Sequence, residues 1–447
     1  MEAFEKIISD IAGYIWGVPL IVLLFGTHLF LTYKTKFIQR YIFKAIKISF
    51  SKKLEGEGDI SQFGAVATAL AATIGTGNIV GVSTAVAAGG PGAVLWIWLT
   101  GIFGIATKYS EALLAVKYRI KNADGSMAGG PMYAIERGMG MKWLAVLFAA
   151  FTAISAFGIG NMVQSNSISH LVNETFGVPM WITGIVITII TAVVILGGIK
   201  SIAKVCEALV PFMAISYIVG CIALLIIGYS TIFDSIILIF KSAFTGQAAI
   251  GGFIGAGAKE AVRFGIARGL FSNESGLGSA PIIAAAATTK NPVRQALVSS
   301  TGTFWDTVVV CAFTGIVVVN SQDWKLGLEG AALTRSAFSH INIVGPIFLF
   351  IGLLTFVFST ILGWSYYGEK AAEYLFGVKA IMPYRYLWVV AVFVGSVVSL
   401  NLVWSFSDIT NALMAIPNLI SLIMLHKIVV SETKKYLWEG DIEQSGE

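Results

Sequence analysis

The chain has 447 residues and a formal net charge of +5, with 56% hydrophobic and only 12% charged residues. Soluble domains usually carry about 25% charged residues, so this composition excludes a soluble globular protein and requires most of the surface to face lipid or other helices. Three cysteines within apolar stretches and four histidines argue against a disulfide framework and against a haem or zinc enzyme inside the bilayer.

Apolar segments long enough to cross a bilayer core of about 30 Å recur along the chain. They predict an all-α polytopic membrane protein with about eleven transmembrane helices, at residues 12–33, 62–87, 91–116, 143–172, 179–198, 205–227, 250–288, 295–320, 344–368, 384–402 and 404–426. The first segment ends in lysines and lacks a small-residue cleavage site, so it is interpreted as a retained helix and not as a signal peptide. The stretch 228–245 is amphipathic and short, which predicts a position at the outer membrane interface.

The basic residues predict the orientation of these helices. With eleven crossings, the loops rich in lysine and arginine all fall on one side, whereas the opposite side carries only Lys6, Lys241, Lys325 and Arg335. The positive-inside rule makes the crowded side cytoplasmic. We therefore expect a multi-pass protein of the cell membrane with its N-terminus outside and its C-terminus in the cytoplasm. The positive net charge then reflects the basic cytoplasmic loops and does not indicate a nucleic-acid partner.

Two apolar spans are interrupted by glycine-rich polar segments, ATIGTGNIVG at 72–81 and GLFSNESGLGSA at 269–280. Unwound backbone at membrane depth persists only where it lines a cavity or is buried in protein. Apart from the first span, five spans begin near residue 62 and five near residue 250, and each break falls in the first member of its set. The sequence thus predicts a single transporter domain built from an N-terminal helix (12–33) and a five-plus-five inverted repeat (62–227 and 250–426).

The breaks also predict a binding site. The first N–H groups of a half-helix carry partial positive charge, so the amides around Thr76, Gly77 and Asn78 are expected to hold a carboxylate without an arginine. Carbonyls freed at the end of the preceding half-helix suit an ammonium group or a hard cation such as Na⁺. Close packing of helices would explain a single GxG segment, but two polar breaks at matching positions favour a site. Asn78 and Asn273 lie beside the breaks as candidate lining residues.

Four blocks carry a resemblance to a known family: 72–104, 129–140, 201–217 and, most specifically, FSNESGLGSAP at 271–281. Over nearly its whole length the chain resembles the alanine-or-glycine:cation symporter family, part of the amino acid–polyamine–organocation group. The resemblance implies the ten-helix inverted-repeat fold of the bacterial leucine transporter, with one extra N-terminal helix. It also implies Na⁺-coupled uptake of alanine and glycine.

The segment GTGN at 75–78 corresponds to the unwound first helix of that fold. The resemblance implies that Thr76 and Gly77 donate their amides to the substrate carboxylate, and that the side chain of Asn78 lies against the substrate or a nearby cation. It further implies a Na⁺ site whose oxygen ligands come from the first and eighth core helices, namely the carbonyls of Ala71, Ile74 and Phe356 and the hydroxyls of Ser359 and Thr360.

The residues of this expected cation site have an alternative role. Ser359 and Thr360 follow Phe356 at a spacing that puts all three on one helix face. Serine and threonine in membrane helices more often bond the carbonyls of their own preceding turn. The sequence alone favours that reading, and only the resemblance favours the ligand role.

Bulky residues near the breaks are candidates for selecting the size of the substrate, because a tight pocket rejects large side chains by overlap. Phe271 and Trp364 are the candidate walls and Gln164 a polar candidate, although packing and a helix–helix hydrogen bond are their alternative roles. The full set of expected substrate contacts is Thr73, Gly75, Thr76, Gly77, Asn78, Gln164, Phe271, Asn273 and Trp364.

Carboxylates within or near the spans are functional candidates because charge is costly at that depth. They are Glu207, Glu274, Asp306 and Asp408. A proton-coupled transporter of the same fold would use one of them as its relay, and this alternative stays open. For Glu274 a structural role is favoured, in which its carboxylate pairs with the free N–H groups of the broken helix.

Other classes of function are disfavoured by the sequence. A channel requires a polar face that continues through the membrane, and the sequence shows no such face. An enzyme requires a catalytic set such as Ser/His/Asp, HExxH or a P-loop, and the sequence contains none of these. The expected partners are alanine or glycine, a sodium ion as the coupling ion and the lipid bilayer, with no organic cofactor and no nucleic acid.

Overall fold

The structure is a computed structural model that describes residues 14–15, 17–51, 56–244, 258–328, 330–398 and 401–445, with the backbone alone for 258 and 401–408. Over this part of the chain it is helical almost throughout. One two-stranded antiparallel hairpin interrupts the helices, with β1 (Ile120–Lys121) paired to β2 (Met127–Ala128).

The helices before residue 250 are α1 (Val18–Lys34), α2 (Ile42–Ser49), α3 (Gln62–Thr73), α4 (Val82–Gly89), α5 (Ala93–Lys117), α6 (Pro131–Met139), α7 (Lys142–Phe157), α8 (Val163–Phe176), α9 (Met180–Ile195), α10 (Gly198–Ile227) and α11 (Ile232–Phe244). Those after it are α12 (Ala258–Asn273), α13 (Pro281–Ala284), α14 (Pro292–Thr303), α15 (Ala312–Asn320), α16 (Gly330–Ser339), α17 (Val344–Phe376), α18 (Ile381–Val397), α19 (Asn401–Met424) and α20 (His426–Thr433). Short π-helical turns cover Gly77–Gly81, Gly158–Met162, Phe304–Cys311 and Lys434–Trp438.

In the described part of the chain, six helices are long and apolar enough to cross a membrane, or nine if each bent pair is one span. The bent pairs are Val18–Lys34 with Ile38–Ser49 (67°), Gln62–Thr73 with Gly77–Gly89 (56°) and Ile409–Met424 with His426–Trp438 (56°). The nearly all-helical, multi-pass architecture is confirmed. The count of eleven is consistent with these helices if α9 and the pair α12–α13 also cross.

The stretch predicted to lie at the interface forms α11. Its buried positions Ser235, Ile239 and Ala243 recur every four residues, while Phe233, Ile237 and Phe240 are exposed. This is the one-sided burial of an amphipathic helix. It agrees with a helix that packs on the protein by one face only.

The first break has a simple backbone cause. Helix α3 begins at the cap Ser61, whose hydroxyl accepts from the Gly64 N–H at 2.8 Å. It ends at Ile74, where ψ of 100° leaves the helical range. The chain resumes as a π-helical turn at Gly77 and continues into α4, so the two half-helices meet at an angle.

The second break depends on left-handed backbone. Glu274, Gly276 and Gly278 have φ values of 53°, 94° and 85°, which end α12 and prevent regular helix until Pro281. Glycine adopts such values without strain, whereas glutamate does so only when its surroundings hold it there. Within the predicted span 250–288, the described residues from 258 onwards form two short helices joined by seven non-helical residues at 274–280.

Close backbone approach brings the two breaks together. A Cβ atom at Gly77 would lie 3.3 Å from both the Phe271 ring and the Ser272 Cα. Helix α17 approaches α3 in the same way, since a Cβ at Gly363 would lie 2.6 Å from the Ala72 Cβ. Small residues permit such contacts in membrane helices. The two breaks and the middle of α17 thus enclose a common space.

Candidate functional site

A narrow cavity of about 20 Å³ lies between the two breaks. Its lining residues are Ala72, Thr73, Gly75, Thr76, Gly77, Ile159, Gln164, Phe271, Glu274, Thr360, Trp364 and Asn411. A cavity needs a volume of about 10–15 Å³ to hold one water molecule. In this conformation the narrow cavity therefore has room for little more than one water molecule. Seven of the nine expected substrate contacts line it, and Asn78 and Asn273 do not.

A wider cavity of about 420 Å³ adjoins the narrow one and shares Thr76, Gly77 and Phe271 with it. Helices α4, α8, α16 and α17 supply most of its other lining residues. At its rim, Arg335 on α16 donates to Glu174 on α8 at 2.7 Å, and both side chains are more than half exposed. The Phe271 ring therefore stands between a vestibule and the space enclosed by the breaks.

The side chain of Asn78, which the resemblance places against the substrate or a cation, makes hydrogen bonds to protein groups in this structure. Its Oδ1 accepts from the Gly75 N–H at 2.8 Å, and its Nδ2 donates to the Asp306 carboxylate at 2.6 Å. It is completely buried. The physical reason is that the unwound segment leaves the Gly75 N–H without a helical partner, and the nearest amide oxygen satisfies it. Asn78 fixes the shape of the break in this conformation.

Asp306 gathers donors from both breaks. Besides Asn78, its carboxylate accepts from the hydroxyl of Ser272 at 3.1 Å and from that of Thr307 at 2.6 Å, and no part of it is exposed. It lies in the π-helical turn Phe304–Cys311, an irregularity that often marks a functional site. A fully bonded buried network of this kind holds its elements in one arrangement.

Asn273 supports the turn of the second break. Its Oδ1 accepts from the Ser275 N–H at 2.9 Å, the local bond by which asparagine mimics a backbone turn. Its Nδ2 has no hydrogen-bond partner among the described residues. The side chain is buried, and it does not reach either of the two cavities.

Glu274 makes contacts different from those that the sequence favours. Its carboxylate accepts from the Trp364 indole N–H at 3.1 Å and from the Ser279 hydroxyl at 2.6 Å, and it lines the narrow cavity. The expectation that it pairs with free N–H groups of the broken helix is wrong. The left-handed backbone at Glu274 turns its side chain away from those groups and towards α17.

Glu111 on α5 takes the role that was expected of Glu274. Its Oε1 accepts from the N–H groups of Gly276 and Gly278 at 3.0 and 3.2 Å, and from the Asn418 amide at 2.6 Å. Lys108 lies three residues earlier on the same face and is also buried. Sequence reasoning missed this pair, although KYSE at 108–111 places two charges inside an apolar helix, which is a functional signal.

Four of the five expected cation ligands, Ala71, Phe356, Ser359 and Thr360, lie within hydrogen-bond distance of one another. The Ser359 hydroxyl lies 3.0 Å from the Ala71 carbonyl and 2.8 Å from the Phe356 carbonyl, and the Thr360 hydroxyl lies 3.0 Å from the latter. Ile74, where α3 ends, is buried one turn beyond Ala71. Neutral oxygens of this type suit a hard alkali cation. Among the described residues no group of three or more His, Cys, Asp or Glu side chains gathers to hold a metal ion.

The bonds from Ser359 and Thr360 to Phe356 are also the ordinary back-bonds of a helix. The contact that crosses between helices is the one from Ser359 to Ala71. It joins α17 to the end of α3, so the hydroxyl–carbonyl cluster spans two elements as a shared ion site requires.

Trp364 and Gln164 form the wall opposite the first break. A Cβ at Gly160 would lie 2.3 Å from the Trp364 Cβ, so only glycine allows this approach. Gln164 donates from Nε2 to the Ile159 carbonyl at 2.8 Å, and its Oε1 has no partner among the described residues. An unpaired acceptor in the wall of a cavity is a candidate ligand contact.

The remaining two carboxylates lie elsewhere. Glu207 on α10 accepts from the Ser61 hydroxyl at 2.8 Å, at the start of α3. Asp408 lies outside the described side chains. Asn411 of α19 lines the narrow cavity and was not expected from the sequence, because no local feature distinguishes it from other polar residues of that helix.

Comparison with known proteins identifies one family and several similar transporters. The chain matches the family described as "Sodium:alanine symporter family" over residues 1–446. An uncharacterized transporter of Haemophilus influenzae is 51% identical, over 97% of this chain and 96% of that protein. The sodium/alanine symporter AgcS of Methanococcus maripaludis is 50% identical, over 97% of each chain.

Among solved structures, the crystal structure of MhsT in complex with L-phenylalanine has a TM-score of 0.60 to this chain. The alignment covers 86% of this chain and 94% of MhsT at 15% sequence identity. At that identity the similarity shows the fold alone. It confirms the leucine-transporter type of architecture, with its inverted repeat and its two broken helices.

Proposed function

The chain belongs to the sodium:alanine symporter family, and from this membership we propose that it imports alanine or glycine together with Na⁺ by alternating access. It is a multi-pass membrane transporter and not an enzyme. One observation supports the proposal that uptake of the amino acid is coupled to Na⁺. Thr360 both lines the narrow cavity and belongs to the hydroxyl–carbonyl cluster, so a substrate and a cation would share a wall.

The substrate carboxylate is assigned to the first break. Thr76 and Gly77 line the cavity at the start of the second half-helix, where the first N–H groups lack partners within the helix and carry partial positive charge. Their amides hold a carboxylate at low cost. This arrangement needs no arginine in the cavity wall.

The substrate ammonium is assigned to the opposite wall. The Oε1 of Gln164 has no partner among the described residues, and the Glu274 carboxylate also faces the cavity. A charge-assisted hydrogen bond from an ammonium group is stronger than one between neutral groups. Both polar ends of an amino acid thus have a complementary surface, which supports an amino acid as the substrate.

The size of the cavity supports a very small side chain. Ile159, Phe271 and Trp364 supply apolar walls around a volume of about 20 Å³. The cavity must widen to admit any amino acid, and a side chain with one methyl group requires less movement of these walls than a larger one. Leucine would need the displacement of a tightly packed ring, and overpacking of this kind typically costs about 1–3 kcal/mol.

The coupling ion is assigned to the hydroxyl–carbonyl cluster, with Ala71, Ile74, Phe356, Ser359 and Thr360 as its ligands. The cluster bridges α3 and α17, so a bound Na⁺ would hold these helices together and complete the cavity. By thermodynamic linkage, Na⁺ and substrate then raise each other's affinity by the same factor.

The vestibule gives the direction of access. It lies on the side of α16 and Arg335, which the positive-inside rule makes the outside, with the N-terminus outside and the C-terminus in the cytoplasm. We assign this conformation to an outward-facing state in which Phe271 separates the vestibule from the substrate. The inverted repeats, assigned to 62–227 and 250–426, then exchange access around a fixed site.

A second candidate is a proton-coupled transporter of the same fold. It is supported by the three buried carboxylates Glu111, Glu274 and Asp306 around the second break, since proton relays in transporters use such groups.

Uptake by purified protein in liposomes distinguishes the two candidates. Labelled alanine is supplied with an inward Na⁺ gradient, or with choline and an inward proton gradient. We expect uptake with Na⁺ alone, competed by glycine and not by leucine. Uptake that follows the proton gradient without Na⁺ would replace the sodium-coupled proposal with the proton-coupled one.

A further inference from the structure

The short helix α2 turns away from α1 at a fixed corner. The bend between α1 and the helical segment that contains α2 is 67°, and Lys36 and Phe37 at the corner have left-handed φ values of 52° and 57°. Gln39 holds the corner, since its Nε2 donates to the Thr32 hydroxyl at 2.8 Å and to the Ile102 carbonyl at 3.1 Å. Because α1 is a membrane-crossing helix, a segment that leaves it at this angle runs closer to the membrane plane than to the membrane normal.

One face of α2 packs on the rest of the transporter. Ala45, Ile48 and Ser49 are buried, and the helix contacts α14 and α3. At its end, the Phe50 ring lies 5.6 Å from the ring of Phe63 on α3. This packing fixes the direction in which the other side chains of α2 point.

The side of α2 that faces away from the protein carries exposed aromatic rings. Phe37, Phe43 and Phe50 are 59%, 78% and 62% exposed. Phe43 and Phe50 are seven residues apart, which places them on one line along a helix. Water is an unfavourable environment for such rings, whereas the boundary between lipid headgroups and acyl chains accommodates them.

A line of basic residues runs beside the phenylalanines. Arg40, Lys44 and Lys47 are exposed, and their intervals of four and three residues place them on a single helical face. Among the described residues none of the three is paired with a carboxylate. Residues 11–54 contain no aspartate or glutamate, so the local sequence does not offset these charges.

An anionic phospholipid is complementary to both lines of residues. Helices that lie in the membrane interface combine phenylalanine on an apolar face with lysine and arginine on a polar one. Near an anionic membrane surface, each basic residue strengthens binding by about fivefold. The phosphate would meet the basic line and the acyl chains would meet the rings, which a soluble anion cannot do.

We propose that the outer face of α2 is a binding surface for anionic phospholipid, in which Arg40, Lys44 and Lys47 hold the phosphate groups and Phe43 and Phe50 enter the acyl region. The surface lies on the side that the proposed topology assigns to the cytoplasm. It does not depend on which amino acid or which ion the transporter carries.

A fluorophore at position 43 tests which lipid lies beside α2. The three native cysteines are buried, so Phe43→Cys supplies an accessible thiol for an apolar label. The labelled full-length protein is placed in phosphatidylcholine bilayers that contain a minor fraction of brominated lipid, which quenches the label on contact. Brominated phosphatidylglycerol should associate with this position more strongly than brominated phosphatidylcholine by about fivefold or more, the contribution of one basic residue. The preference should shrink as salt is added, because the Debye length is only about 10 Å at 0.1 M.

Two sets of substitutions in the labelled protein show whether the charges of α2 cause the preference. Arg40→Gln, Lys44→Gln and Lys47→Gln together should abolish it. A matched control neutralises three lysines that are more than half exposed and that pair with carboxylates elsewhere, and it should keep the preference: Lys121→Gln, Lys142→Gln and Lys434→Gln. A label at Ile189→Cys, on the exposed face of α9, should be quenched equally by the two lipids.

A double variant decides the question if the triple variant folds poorly. Lys44→Glu with Lys47→Glu reverses two exposed charges, and phosphatidylglycerol should then quench less than phosphatidylcholine. Equal quenching by the two lipids in the labelled parent, or an undiminished preference in the charge variants, would overturn the proposal. The absence of quenching by either lipid would also overturn it, because α2 would then lie away from the bilayer. Loss of the preference on addition of glycerol phosphate would show that the surface binds free phosphate and not lipid.

Discussion

The indole N–H of Trp364 donates to the carboxylate of Glu274 across 3.1 Å, which joins the middle of α17 to the second break at the wall of the narrow cavity. The Ser279 hydroxyl holds the other carboxylate oxygen at 2.6 Å. Trp364 therefore does more than supply bulk, because it also sets the orientation of the acid that faces the substrate.

Replacing this donor should weaken substrate binding. In Trp364→Phe the ring remains but Glu274 loses a buried hydrogen bond, a loss that typically costs about 1–3 kcal/mol. We expect KM for alanine in uptake assays to rise by roughly tenfold, while leucine remains excluded. Trp388→Phe is the control, because Trp388 is equally buried and its Nε1 has no partner among the described residues. An unchanged KM in Trp364→Phe would show that the bond does not orient Glu274.

Removing the Thr360 hydroxyl should act on the cation. Thr360→Val keeps the shape of the side chain and deletes one expected Na⁺ ligand, so the Na⁺ concentration for half-maximal uptake should rise by roughly tenfold, or about 1.4 kcal/mol. Thr355→Val removes a hydroxyl of the same helix that bonds only the Ile351 and Gly352 carbonyls, and it should have little effect. If both variants need the same Na⁺ concentration as wild type, the hydroxyl–carbonyl cluster is not the coupling site.

Widening the cavity should relax its selection by size. Phe271→Ala removes the ring that separates vestibule and narrow cavity, so leucine and valine should begin to compete with labelled alanine. Rejection by overlap is lost when the overlapping wall is removed. Phe264→Ala on the same helix changes a ring that lines neither cavity and should leave competition unaltered. Continued exclusion of leucine by Phe271→Ala would assign selectivity to other residues.

Neutralising the central acid of the breaks should reduce stability. In Asp306→Asn the amide offers one acceptor where the carboxylate binds Asn78, Ser272 and Thr307, and a donor left unsatisfied in a buried site costs about 1–3 kcal/mol. The Tm in detergent should fall, and Na⁺ dependence should persist in the folded fraction. Asp234→Asn on the exposed face of α11 is the control. Uptake that loses its dependence on a proton gradient in Asp306→Asn would instead support the proton-coupled candidate.

Much of the architecture was predictable because its signals are local. Glycine, serine and asparagine inside apolar runs identified both breaks, and the helix that begins at Gly77 and the bulky residues Phe271 and Trp364 all reach the cavity. An interrupted membrane helix requires these residue types at the interruption, so the breaks can be recognised from the sequence alone. The family resemblance added the cation ligands, of which Ala71 and Ser359 now lie in contact.

The pairing of side chains across helices was not predictable. Asn78 turned to Asp306, more than two hundred positions away along the chain, and Glu111 took the N–H groups that Glu274 was expected to bind. Both outcomes depend on rotamers and on helix contacts that no local pattern encodes. Lys108 and Glu111 were missed for another reason, since the hydropathy of a long helix averages over two charges within it.

The most direct measurement is equilibrium binding of alanine to the purified protein at a series of Na⁺ concentrations, together with binding of Na⁺ at a series of alanine concentrations. The shared wall at Thr360 predicts that each ligand raises the affinity of the other, by the equal factors that linkage requires, and that Thr360→Val lowers both factors equally. Alanine binding that is independent of Na⁺ in the wild-type protein would contradict a coupled site.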